Sequence, residues 1–110
     1  MRNPIPYYEN VEFALADSTT DYDLDVNESD FLTDFGPTNV VGSYPSWVEI
    51  RTDQTITVKL NLATNDSITI TSTDSPMTIN GTEIINMFLT NSSGSVANVK
   101  LRFQQSPNLL

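Results

Sequence analysis

The chain contains neither cysteine nor histidine, and this double absence removes much of the usual chemistry. Without Cys there is no disulfide, no thiolate nucleophile and no zinc–thiolate site. Without His, the Ser–His and Cys–His pairs that activate a nucleophile cannot be assembled. A Ser–Lys pair would have to recruit Lys59 or Lys100. Both fall at outward positions of alternating segments, where a lysine is ordinarily solvated. Basic residues are also scarce: 5 Lys and Arg stand against 14 Asp and Glu, for a formal net charge of −9. Phosphate binding requires clustered cations, so neither nucleic acid nor an anionic membrane is an expected partner. No apolar run approaches the ~20 residues of a membrane-spanning helix. The opening MRNPIPYYEN lacks the apolar centre of a secretory signal. The expected product is soluble and cytosolic, or one whose leader was removed ahead of this numbering.

What is present points to strands. The 110 residues suffice for one domain, and a 38% hydrophobic content is adequate for a sandwich core. Asn, Ser and Thr together make up about a third of the chain, which suits turns and solvated strand faces. YYENVEFALA reads as a strand, followed by a turn at residues 18–21. DYDLDV alternates, with Tyr22, Leu24 and Val26 on one face and Asp21, Asp23 and Asp25 on the other, so these two runs suggest a hairpin. One short helix is expected near residues 28–35, capped by Asn27 and stopped by Gly36-Pro37. WVEIRT is a strand. TITVKLNL places Ile56, Val58, Leu60 and Leu62 inward. SITITST, MTIN and TEIINMFLTN follow as strands, with Asn80-Gly81 a strong turn signal. VANVKLRF sets Ala97, Val99, Leu101 and Phe103 against Asn98, Lys100 and Arg102.

About eight strands at spacings near ten residues predict an all-β fold, an antiparallel β-sandwich of the jelly-roll or immunoglobulin-like type. A single domain over residues 1–110 is expected. An extended N-terminal arm would cover residues 1–8, around Pro4 and Pro6, and a C-terminal tail residues 104–110.

No catalytic, cofactor-binding or metal site is assigned. Paired carboxylates could serve a glycosidase, but the acids concentrate between Glu9 and Asp34, and a chain this short has little room for a cleft. Asp21 to Asn27 resembles the start of an EF-hand loop. It fails at the sixth position, Val26 instead of Gly, and at the twelfth, Leu32 instead of Glu. Two readings of the acidic segment 21–34 stay open: aspartates on a solvated strand face, or a looser calcium site from Asp25, Asn27, Glu28 and Asp30. Tyr7, Tyr8, Tyr44 and Trp47 either pack in the core and loops or present a glycan-binding or protein-binding surface. Four Asn-x-Ser/Thr triplets, at Asn27, Asn65, Asn80 and Asn91, are what chance gives in so Asn-, Ser- and Thr-rich a chain.

Two stretches carry a family resemblance: Thr52 to Asn61, TDQTITVKLN, and Ile84 to Leu101, IINMFLTNSSGSVANVKL, read as a closing hairpin. Residues 52–103 resemble the small β-sandwich structural proteins of tailed bacteriophages, which decorate or cement capsids or sit in tails and fibres. The resemblance implies a non-enzymatic virion protein, assembled in the host cytoplasm. Its partners would be the major coat protein or other virion proteins. It would be a homo-oligomer, for instance a trimer about a lattice axis, with the acidic face set against a basic patch of the partner. Tail, neck or fibre placement is the alternative, and a carbohydrate-binding or adhesion module is a third.

Overall fold

The computed structural model describes residues 7–33, 35 and 44–105. The arm residues 1–6, the helix stop at Gly36-Pro37 and the tail residues 106–110 lie outside the described residues. Eight strands form two four-stranded antiparallel sheets: β1 (Tyr7–Leu15), β2 (Thr19–Asp23), β3 (Trp47–Thr52), β4 (Ile56–Leu60), β5 (Ile68–Ile70), β6 (Met77–Asn80), β7 (Met87–Asn91) and β8 (Ala97–Gln105). One short helix, α1 (Leu24–Asn27), follows β2. The order is β1-β8-β3-β6 in sheet I and β2-β7-β4-β5 in sheet II. The expected antiparallel sandwich is thus present.

The order also decides between the two expected architectures. Four pairings are nested: β1 with β8, β2 with β7, β3 with β6 and β4 with β5. This is one long hairpin of four strand pairs, closed at β4–β5 and rolled so that β3 also meets β8 and β4 also meets β7. Such a wrap is a jelly roll, whereas the immunoglobulin order would group strands differently. Two expected hairpins are corrected by it. β1 and β2 lie in opposite sheets, as do β7 and β8. Among the described residues, only β4–β5 is a hairpin between consecutive strands of one sheet.

Alternation explains the core. From sheet I, Leu15, Val48, Ile50, Ala97, Val99, Leu101 and Phe103 are buried. From sheet II, Ile56, Val58, Ile70, Met87 and Leu89 meet them, and Leu24, Leu32, Phe35 and Ile84 close the ends. Phe31 and Phe35 pack their rings against Phe103 at centroid distances of 5.5 and 6.4 Å. Phe13 of β1 stacks on Tyr22 of β2 at 4.9 Å, sealing the side where the two sheets' first strands face each other. Asn91 is a fully buried polar side chain. Its amide donates to Leu15 O and Ser95 O and its carbonyl accepts from Ser93 N, so it ties sheet II to sheet I with both ends satisfied.

Four local expectations are corrected. The helix begins at Leu24, not near residue 28, because Asp23 caps it: Asp23 Oδ1 accepts from Val26 N, while Asn27 Nδ2 bonds Asp23 O. The strand over DYDLDV therefore stops at Asp23, and Val26 is left 71% exposed. Leu62, expected inward, is 59% exposed. The backbone enters the left-handed region at Asn61 (φ 70°), which breaks the alternation after Leu60. Residues 82–86 of the expected strand TEIINMFLTN are not strand, and the backbone groups of 84–86 bond outside any ladder. Ile84 N donates to Pro45 O, Asn61 Oδ1 accepts from Ile85 N and Asn86 N, and Asn86 O accepts from Asn61 N. Finally, Tyr7 and Tyr8, counted with the arm, belong to β1, and Gln104 and Gln105, counted with the tail, pair with them.

Candidate functional site

The outer side of sheet I gathers side chains that are far apart in sequence. The inward residues of β3 and β8 are fixed by burial, so their neighbours point out. Register then sets rows across the sheet. Tyr8 faces Gln104, Gln104 faces Trp47, and Trp47 faces Asn80. The next row is Asn10, Arg102, Glu49 and Thr78, and the one after it Glu12, Lys100 and Arg51. Tyr8 is 58% exposed and Trp47 is half-buried. Both therefore lie on one face, separated by the width of β8, about 9.5 Å for two strand spacings.

Polar contacts organise this face. Arg51 Nε lies 3.2 Å from Glu49 Oε1, and Lys100 Nζ 3.9 Å from Glu12 Oε1. Arg102 Nε donates to Asn10 Oδ1 at 3.1 Å, and its guanidinium carbon sits 5.7 Å from the Tyr8 ring centroid. Asn10, Glu12, Glu49, Arg51, Lys100 and Arg102 line an open depression of about 380 Å³. In a neighbouring depression that shares Arg51 and Lys100 with it, Asp53 accepts from both Asn98 N and Asn98 Nδ2 at 2.8 Å. The Asn98 side-chain amide and then its backbone N–H hold the Asp53 carboxyl below its ordinary range. Of the cations among the described residues, Arg51, Lys100 and Arg102 all stand here, and only Lys59 does not. In a chain of net charge −9 this face is close to charge-balanced.

The acidic segment has a different role. Asp21 Oδ1 is 3.1 Å from Lys59 Nζ. Asp23 Oδ1 accepts from Asn86 Nδ2 as well as from the helix. Asp25 accepts from Leu32 N, Thr33 N and Thr33 Oγ1, which folds the turn after α1 back over the core. Glu28 Oε2 accepts the Tyr22 hydroxyl. Burial first, then that hydrogen bond and the Glu28 charge, push the Tyr22 phenol above its ordinary range. These carboxylates serve local backbone and side-chain donors, not one strand face. Among the described residues no three Asp or Glu side chains group as a ligand set for a metal ion, and this includes Asp25, Glu28 and Asp30.

Trp47 was singled out in the sequence, and it stands on the outer face. Tyr44 lies half-buried in the segment leading to β3. Asn10, Gln104, Arg102 and Asn80 were missed as site residues. Their outward positions were readable from alternation, but the register that gathers them was not. Compared with known proteins, the chain matches no family model, no curated protein and no solved structure.

Proposed function

We propose that this chain is a non-enzymatic virion structural protein of a tailed phage, a decoration or cement subunit bound to the major coat protein lattice as a homo-oligomer. The observation that carries it is the strand order of the two sheets, a jelly-roll wrap of the kind that recurs in viral capsid and lectin domains. The resemblance of residues 52–103 to small phage β-sandwich proteins supports the same reading. So does the charge distribution, with a near-balanced face on sheet I and the acidic excess elsewhere, since opposed patches orient a subunit on a lattice. The test is quantitative mass spectrometry of purified particles, normalised to the major coat protein. A copy number comparable to the coat protein is the expected result. A much lower one moves the chain to the tail, neck or fibres, and its absence from particles overturns the proposal.

A second reading, a carbohydrate-binding or adhesion module, is favoured by one specific observation. Tyr8 and Trp47 share a row on the outer side of sheet I with the amides of Gln104 and Asn80 between and beside them.

A further inference from the structure

We propose that the outer side of sheet I binds an uncharged, hydroxyl-rich saccharide chain laid across β1, β8, β3 and β6, with its rings on Tyr8 and Trp47. The inference rests on the second reading above and names its ligand class and contact residues.

The row Tyr8–Gln104–Trp47–Asn80 alternates aromatic and amide side chains. Aromatic faces suit the C–H face of a pyranose, which is apolar, while amides offer both a donor and acceptors to its ring hydroxyls. The spacing fits as well. The two aromatic positions are about 9.5 Å apart, as set by two strand spacings, close to the advance of two sugar rings in an extended chain. The adjacent row supplies Asn10, Arg102, Glu49 and Thr78, again donors beside acceptors. Arg102 is already braced by Asn10 and by the Tyr8 ring, so its remaining N–H groups have a fixed direction. The open depression beside the row gives the bound chain a shallow bed.

Charge selects against a polyanion. Arg51 and Lys100 are paired with Glu49 and Glu12, which leaves the face a single excess positive charge, that of Arg102 beside the neutral Asn10. The whole chain carries −9 and repels an anionic polymer at a distance. A neutral glycan meets neither obstacle.

The single tryptophan of the chain is Trp47, so its fluorescence reads the proposed site directly. The full chain is applied to an array of uncharged and acidic glycans, and the strongest uncharged glycan is titrated by calorimetry and by Trp47 emission. The expected result is binding with a change in emission, and an affinity that stays level when salt is raised from about 0.05 to about 0.5 M. Tyr8→Ala, at an exposed position, lowers affinity about tenfold or more, and Thr69→Ala on the opposite sheet leaves it unchanged. Circular dichroism confirms that each variant is folded. Binding confined to acidic glycans, or lost with salt, overturns the inference while keeping an adhesion module. Uncharged binding that survives Tyr8→Ala and leaves Trp47 emission unmoved also overturns it. No glycan bound at all overturns both the inference and the second reading.

Discussion

On its outer side, sheet I carries Tyr8, Trp47, Arg51, Lys100 and Arg102 among amides and carboxylates, whereas sheet II carries Thr57, Thr69, Thr90 and Phe88 with the Lys59–Asp21 pair. Inside, the two sheets are alike: both present a tight aliphatic layer at every second position. The apolar inner positions answer to packing, so either sheet can use any well-fitting apolar side chain there, while Thr52 and Asn91 are buried polar exceptions held by hydrogen bonds. Threonine on the outer side of sheet II satisfies β propensity and solvation, and Thr90 Oγ1 also accepts from Asp21 N. The large and charged residues on sheet I exceed what strand formation needs. That excess is where a binding role is most economically sought.

The comparison is sharpened most by the shared interior. Leu101→Ala in sheet I and Leu89→Ala in sheet II each remove a fully buried side chain and should each cost about 2–5 kcal/mol in urea unfolding. A cost confined to one of them would break the equivalence of the inner layers. Asn91→Ala removes the amide joining the sheets and leaves Leu15 O and Ser95 O without that donor, for an expected loss of about 1–3 kcal/mol. Asp25→Ala releases the turn that places Phe31 and Leu32. About 1–2 kcal/mol is expected, with faster amide exchange at Leu32 and Thr33.

Alkaline pH probes the closed side between β1 and β2. The Tyr22 phenol has a folded pKa raised above its unfolded value of about 10, so the unfolded state releases its proton first. Its contribution is complete below about pH 10 and is lost as pH rises beyond that. Stability measured from pH 8 to 11 should therefore fall less steeply in Tyr22→Phe than in the parent. The smallest effects belong to the ion pairs of the outer faces. Arg51→Ala should stay within about 0.5 kcal/mol, and Lys59→Met, which breaks the less exposed pair, should cost up to about 1 kcal/mol. An Arg51 effect larger than the Lys59 effect would give the charged face of sheet I a structural role instead of a binding one.

Much of the fold was legible from alternation alone. WVEIRT and MTIN are strands with the expected bounds, and Ala97, Val99, Leu101 and Phe103 are all buried as expected. Periodicity failed where side chains commandeer the backbone. Asp23 capping α1, Asn61 at positive φ and Asn86 bonding Asp25 are decisions made between residues more than twenty positions apart, or within a single turn. Pairing was the larger blind spot. Consecutive strands were read as hairpins, but the apolar faces of β1 and β2 each need a cover, and they obtain it from opposite sheets. The candidate face inherits that difficulty: Tyr8 and Trp47 are neighbours only through Gln104.

The nested pairing also ranks the closures by their separation along the chain. Closing β4 on β5 joins residues only a short loop apart, while β1 must find a partner some ninety residues further along at β8. Loop-closure entropy therefore favours growth outward from the β4–β5 turn, with topology making the fold slow for its size. Because β8 lies between β1 and β3, sheet I has a gap at its centre until β8 has been synthesised.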